Sequence, residues 1–295
     1  MGKVEPTKPA IHAFASSLQS IDEERQMNLR LNRRALYFSI PVSLLIVTTS
    51  LGGLLFDGVH TLDTIFAAAQ ATAQDFVNLV AVVPLLIITS ILIKDRKGTA
   101  LLVWLGTMIY VVHSFAIYCF AVSFNALFLG YCMTLGLSVY GIQSVVADID
   151  METVPGWFDV EKLNELTIAY LWILVIFFSS EWLKVVAAAI IGANSMADVR
   201  NPEGIRSITH ALDLSIFLPG TAIAAVLLRR RRPRGYIFAP AMLVFFTLYE
   251  IEMASTVVSL RNFKQPVNSA SFWLFAALVV FSYLILHDFL THVKT

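Results

Sequence analysis

Long apolar runs separated by short polar clusters dominate the chain. A helix that crosses a membrane needs about 20 consecutive apolar residues. Eight runs reach that length, so the pattern predicts eight transmembrane helices. The predicted ranges are 36–56, 73–93, 99–119, 123–143, 167–189, 209–228, 236–258 and 270–290.

The polar segments between these runs set the predicted boundaries. Two basic turns, 94–98 and 229–235, separate the second helix from the third and the sixth from the seventh. Residues 1–34 form a tail, in which apolar residues at helical spacing predict an amphipathic helix over 9–31. The remaining connections are a short helix within 57–72, an acidic loop over 144–166 and a polar loop over 192–208, and residues 35–295 form the transmembrane domain.

Composition supports this class. Hydrophobic residues make up 57% of the 295 residues and charged residues 14%, and the mean hydropathy is +0.73. Soluble domains average about 25% charged residues. The fold class expected is therefore all-α, a polytopic membrane helix bundle whose natural solvent is the lipid bilayer. Nucleic acid is not an expected partner.

The distribution of positive charge predicts the orientation. Lys and Arg residues are retained on the cytoplasmic side of a membrane. With both termini inside, all but five of the 21 Lys and Arg residues fall on the cytoplasmic side. The exceptions are Lys184, Arg200, Arg206, Arg261 and Lys264. The short loops favour a bacterial plasma membrane.

The two halves of the chain resemble each other, with a first repeat over about 35–145 and a second over about 167–295. Asp75 and Asp213 each open an apolar run that contains a proline and ends in a basic turn with a glycine. His113 and Glu250 follow those glycines at the same spacing. Four helices per half predict a parallel repeat about an axis along the membrane normal. Coincidence is the alternative, because apolar hairpins with basic turns look alike.

Ionisable residues are concentrated in the predicted outer halves of the helices. Charged groups within a span are costly and usually face a cavity or a partner. If their faces converge, they line a polar cavity open to the outside. The candidate residues are Asp75, Tyr110, His113, Glu181, Lys184, His210, Asp213 and Glu250. If a metal binds, its candidate ligands are His113, Glu250, Asp75 and Asp213.

Several candidates have a purely structural alternative. Asp75 and Asp213 sit where they would cap helix N-termini, which favour acidic residues. Glu181 and Lys184 are three apart and can form an ion pair. Glu250 is favoured for the interior, which leaves Glu252 for the headgroups or a neighbouring helix.

The two cysteines have a simple interpretation. Cys119 and Cys132 fall within apolar runs, at expected depths that differ. They are therefore expected to be small buried residues without a disulfide.

Familiar motifs are missing from the sequence. It has no Gly-rich phosphate loop, paired CxxC or HExxH motif, and no row of arginines typical of a voltage sensor. Three hypotheses remain: a scaffold, assembly or sensing subunit; a transporter or proton-coupled permease for a small solute or cation; and a metal-dependent or acid/base membrane enzyme. The sequence identifies no cofactor, and a small-molecule ligand or homo-oligomer is compatible with it.

Overall fold

The computed structural model describes residues 8–294 except 57, 95–96, 160–164 and 192–203. Within these residues the chain is helical, with no strand and one isolated β-bridge between Phe158 and Val293. Eight of the described helices are long and apolar enough to cross a membrane. The predicted class, an all-α polytopic bundle with eight spanning helices, is confirmed.

The helices follow the chain as α1 to α8. Six are unbroken α-helices: α1 Lys8–Leu55, α3 Lys97–Phe120, α4 Phe128–Ala147, α5 Glu165–Ile191, α7 Pro233–Asn262 and α8 Ser269–Thr291. The other two contain a π-helical turn: α2 consists of Ile65–Val77, Asn78–Val82 and Val83–Leu92, and α6 of Gly204–Leu212, Asp213–Phe217 and Leu218–Arg229.

Two local predictions need adjustment. Helix α1 is continuous, so the predicted tail helix over 9–31 and the first span are one helix. The short separate helix predicted within 57–72 is wrong, because α2 begins at Ile65 and continues to Leu92. The Thr64 side chain caps α2 by accepting a hydrogen bond from the Ala67 N–H. The Ala-rich stretch is therefore the buried first part of α2, where small side chains allow close helix packing.

Helices α3 and α7 form the centre of the bundle and pack against each other. In their most apolar stretches 83% and 72% of the residues are buried, against 11% for α8. Gly106 lies at the crossing of α3 and α7. A Cβ atom there would collide with the Ala241 carbonyl oxygen and the Val244 side chain, so only glycine permits this approach.

The packing order is the same in both halves. In the first, α1 and α3 each contact α2 and α4; in the second, α5 and α7 each contact α6 and α8. The halves meet through α3 with α7, and also through α2 with α7 and α3 with α6. These pairs are what a two-fold relation would produce, although the duplication itself stays a prediction.

The bundle has two chemically different ends. At the basic end, Gly98 of the first basic turn lies beside Val293 and Trp157, and Tyr236, which follows the second turn, stacks on Phe158. Both basic turns therefore lie at the same end of the bundle. The opposite end, called here the loop end, carries the connections 58–64, 121–127 and 263–268. The predicted polar loop 192–208 falls mainly outside the described residues.

Candidate functional site

The buried acids and histidine of the described helices all lie in the half of the bundle nearer the loop end. His113 lies closer to the Phe120 end of α3 than to its beginning at Lys97. Five such residues are each at most 3% exposed: Asp75, His113, Asp213, Glu250 and Glu252. Burial of this kind requires a partner for each charge or polar atom.

His113 and Asp213 form the central contact between the two halves. His113 Nε2 on α3 lies 3.0 Å from Asp213 Oδ1 on α6. The other carboxylate oxygen, Oδ2, accepts hydrogen bonds from Trp182 Nε1 at 2.9 Å and from the Tyr249 hydroxyl at 3.1 Å. Asp213 accepts all three bonds when the proton of His113 is on Nε2 and that atom donates.

The imidazole of His113 is otherwise enclosed by aromatic rings. Phe217, Phe245 and Tyr249 contact it edge to face, with centroids 4.8, 5.4 and 5.2 Å away. Its Nδ1 atom is buried and has no hydrogen-bond partner. A neutral imidazole leaves only a lone pair unpaired there, whereas a protonated ring would bury an unpaired N–H.

Glu252 makes the second ionisable contact between the halves. On α7, its Oε1 accepts from Gln70 Nε2 of α2 at 3.3 Å, and its Oε2 accepts from the Tyr110 hydroxyl of α3 at 3.2 Å. Together with His113 and Asp213 these residues form the inter-half network: Gln70, Tyr110, His113, Trp182, Asp213, Tyr249 and Glu252.

Glu250 points to the other face of α7. Its Oε1 accepts from the Ser282 hydroxyl of α8 at 3.1 Å, and that hydroxyl lies 2.9 Å from the Tyr170 hydroxyl of α5. Its Oε2 is buried without a partner. The structure thus places both glutamates in the interior. The expectation that Glu252 contacts a neighbouring helix is confirmed, whereas a headgroup position is wrong.

A π-helical turn accompanies the polar residues in both α2 and α6. Asn78 and Asp213 are the first residues of these turns, and Pro84 and Pro219 follow shortly after them. Proline lacks an N–H and clashes with the carbonyl four residues earlier, so the helix widens just before it. Both Asn78 amide atoms are buried without a partner. Single π turns are frequent at functional sites.

Asp75 belongs to a separate cluster near the loop end. The Tyr118 hydroxyl donates to Asp75 Oδ1 at 2.7 Å, and His60 Nε2 lies 3.9 Å from Oδ2. His60 Nδ1 also lies 2.9 Å from Asp63 Oδ2, and Asp63 Oδ1 accepts from the Ser123 N–H at 2.8 Å. The 58–64 connection is therefore fastened to both α2 and the 121–127 connection.

Neighbouring charges and hydrogen bonds determine the protonation states of His60 and Asp63. Burial disfavours the charged form of His60, but hydrogen bonds and attraction from Asp63 and Asp75 outweigh it and raise the pKa of His60 to about 9. Burial likewise opposes ionisation of Asp63, yet hydrogen bonds from His60 and Ser123 outweigh it and lower the pKa of Asp63. Both groups are therefore ionised at neutral pH.

The capping alternative is wrong for both aspartates. The N-cap of α2 is Thr64, and Asp75 lies well inside that helix. Asp213 follows the segment Gly204–Leu212, so it also lies inside its helix.

Two other candidates lie apart from the inter-half network, and a third, His210, borders it at Trp182. Glu181 and Lys184 form an ion pair, with Lys184 Nζ 2.6 Å from Glu181 Oε1 and both side chains largely exposed. The predicted pair is confirmed. His210 packs edge to face against Trp182, with centroids 4.4 Å apart.

Both cysteines are free thiols, but the expectations that they are buried and that they differ in depth are wrong. The two Sγ atoms of Cys119 and Cys132 lie 4.0 Å apart, and Cys132 is exposed.

Metal binding finds no support in the described part of the chain, where no group of three His, Cys, Asp or Glu side chains could hold an ion. Two cavities lie outside the polar clusters. One of about 270 Å³ is an apolar crevice between Ile109, Phe217 and Met242, and one of about 340 Å³ lies at the basic end. Water access to the inter-half network stays a prediction.

Sequence reasoning missed His60, Asp63 and Glu252. Glu252 had a usable signal, because α7 is apolar on every face and both of its glutamates therefore had to be buried. His60 and Asp63 had none, since their contacts depend on how an irregular connection folds back over α2.

The chain was compared with protein-family models, curated proteins and solved structures, and none of them matches it.

Proposed function

We propose that this integral membrane protein is a proton-coupled transporter of a small solute or cation, in which the two four-helix halves move relative to each other. The orientation that goes with this proposal places the basic end and both termini in the cytoplasm of a bacterium and the loop end outside. The candidate polar cavity would then open between the halves at the loop end.

The observation that carries the proposal is the position of the ionisable contacts. His113 with Asp213, and Glu252 with Gln70 and Tyr110, all join a helix of the first half to a helix of the second. A protein that needed these groups only to hold helices together could place them anywhere in its core.

Protonation of such contacts would change how well the halves fit. A buried donor that loses its acceptor costs about 1–3 kcal/mol. Protonation of Asp213 would remove the charge that faces His113 and compete with its three donors. The closed arrangement would weaken, and a rocking motion of one half against the other would carry the proton with it.

The π turns of α2 and α6 are suitable places for this motion. Each directly follows the segment of its helix that contacts the other half, Ile65–Val77 in α2 and Gly204–Leu212 in α6. The backbone there is already irregular, so a shift of the helix costs less hydrogen bonding than in a regular segment.

A scaffold is the second candidate, and one observation favours it. Both oxygens of Asp213 and of Glu252 already have protein donors, as expected of a purely structural network. The two candidates differ in one respect: a scaffold has no reason to change shape with pH.

Distance measurements between the halves test the proposal. Cys119 and Cys132 are replaced by serine, and spin labels are attached at Phe124→Cys in the first half and Phe263→Cys in the second, both exposed at the loop end. Pulsed electron paramagnetic resonance then compares reconstituted protein at about pH 5 and about pH 8, the range in which histidine switches charge. We expect the distance distribution to shift with pH, and Asp213→Asn to remove the shift.

Glu181→Gln is the matched control, because it removes a carboxylate of the same bundle that lies outside the network. It should behave like the parent protein. Identical distributions at both pH values would rule out proton-coupled movement of the halves. A shift that survives in Asp213→Asn would overturn the role given to Asp213. Thermal unfolding of each variant verifies that it is folded.

A further inference from the structure

We infer that the cavity at the basic end is a binding site for one anionic phospholipid, held by its headgroup phosphate between Arg229 and Arg231. The cavity has a volume of about 340 Å³ and lies between α5, α6 and the beginning of α7. It is remote from the inter-half network, which occupies the loop-end half of the bundle.

The polar part of the cavity fits a phosphate. Arg229 and Arg231 both line it and are exposed, and Arg side chains bind phosphate oxygens through paired N–H donors. Glu165 also lines it, so two arginines and one glutamate give this site a formal charge of +1. Arg230, Arg232 and Arg234 lie on the same turn and make the surrounding potential more positive.

The apolar part of the cavity fits a lipid rather than a free phosphate ion. Ile168, Trp172 and Leu228 line it beside the arginines. Trp172 is 37% exposed, and the apolar surface continues along α5 through Ile173 and Ile176, which are also exposed. Tryptophan and tyrosine are typical of the level where headgroups meet acyl chains, and Tyr236 also lines the cavity. A headgroup in the cavity would thus lay its acyl chain on this face.

The backbone conformation at Arg231 allows its side chain to be removed without destabilising the fold. Arg231 has a φ of 52°, and the bonds Arg232 N to Leu227 O and Arg231 N to Leu228 O end α6 in a Schellman motif. Glycine is the favoured residue at this left-handed position. Arg231→Gly therefore relieves backbone strain while it deletes one of the two proposed phosphate ligands.

Lys264 offers a matched control at the other end of the bundle. It has a φ of 56° and ends α7 with the same pattern of bonds, from Lys264 N to Arg261 O and from Gln265 N to Leu260 O. Lys264→Gly relieves the same kind of strain and removes one positive charge, but leaves the cavity intact. Arg230→Gln is a second control, because it removes a charge from the basic turn at a residue that does not line the cavity.

The experiment measures phospholipid binding to the delipidated, full-length protein by native mass spectrometry. The probes are phosphatidylglycerol, phosphatidylcholine with the same acyl chains, and inorganic phosphate. One arginine near a membrane surface contributes about a fivefold change in affinity for an anionic lipid. We expect one tightly bound phosphatidylglycerol, weaker phosphatidylcholine binding, and a loss of about fivefold or more in Arg231→Gly. The thermal stability of that variant should be equal to or above that of the parent.

Each control separates the site from general attraction to basic residues. Lys264→Gly should bind like the parent protein, and Arg230→Gln should lose clearly less affinity than Arg231→Gly. Equal losses in Arg230→Gln and Arg231→Gly would overturn the site, since they would mean a diffuse basic surface. Unchanged binding in Arg231→Gly, or displacement of the lipid by inorganic phosphate at comparable concentration, would overturn it too.

Discussion

The interface between α3 and α7 changes character along its length. Towards the basic end it is apolar and very close, with Gly106 against Ala241 and Val244. Towards the loop end it carries His113 and Glu252, whose partners lie across the boundary between the halves. The first region has one good arrangement, because close-packed apolar surfaces resist sliding. Under the proposed function the second depends on protons, so the same pair of helices would combine a fixed contact with an adjustable one.

The largest expected effect comes from breaking the fixed contact. Gly106→Leu forces a side chain into the Ala241 carbonyl and Val244, and overpacking that moves the backbone costs about 3 kcal/mol or more. We expect a marked fall in the thermal midpoint and in the yield of monodisperse protein.

Gly136→Leu is the matched control, because a Cβ atom at Gly136 on α4 meets nothing within 4 Å. It should leave the midpoint nearly unchanged. Equal tolerance of leucine at both glycines would mean that α3 and α7 do not cross this closely.

A smaller effect is expected from the adjustable contact. Glu252→Ala leaves Gln70 and Tyr110 buried without an acceptor, and unsatisfied buried groups of this kind cost about 1–3 kcal/mol. Glu252→Gln keeps an acceptor oxygen at the same place, so its free energy of unfolding should lie within about 1 kcal/mol of the parent value. Chemical or thermal unfolding in detergent measures both.

The difference between Glu252→Gln and Glu252→Ala tests whether the loop-end contact differs from the basic-end contact. If Glu252→Gln were as destabilising as Glu252→Ala, the carboxylate would be needed for stability itself. The loop-end half would then be as fixed as the basic-end half, in favour of the scaffold.

The sequence predicted the membrane helices well and the site only in part. The length of the apolar runs predicted eight spans. The number of helices between the two basic turns then placed both turns at the same end of the bundle. Both properties can be read from the chain alone. The burial of Asp75, His113, Asp213 and Glu250 followed from the cost of charge in a span. The sequence did not predict the partners of these residues, because the rotation of each helix decides which faces meet. The π turn at Asp213 changes that rotation.

The peripheral candidates illustrate the same limit. Glu181 and Lys184 were grouped with the core because they share a helix half with it, yet their face of α5 is exposed. Spacing identified the pair correctly but could not tell which way the helix is turned.

The smallest expected effect concerns the 58–64 connection, and it is confined to pH. The raised pKa of His60 means that its stabilising charge is fully present below about 6.5 and is lost as pH rises through about 9. The lowered pKa of Asp63 means that its contribution is present above 3.8 and is lost as pH falls below that value. The thermal midpoint of the parent should therefore fall by a few degrees between about pH 7 and about pH 10.

His60→Gln should lose this fall at alkaline pH, because glutamine can still bond Asp63 but carries no charge. His287→Gln, at the exposed basic end, is the control and should retain it. A fall at alkaline pH that persists in His60→Gln would mean that another group titrates and that the connection is not fastened by this charge.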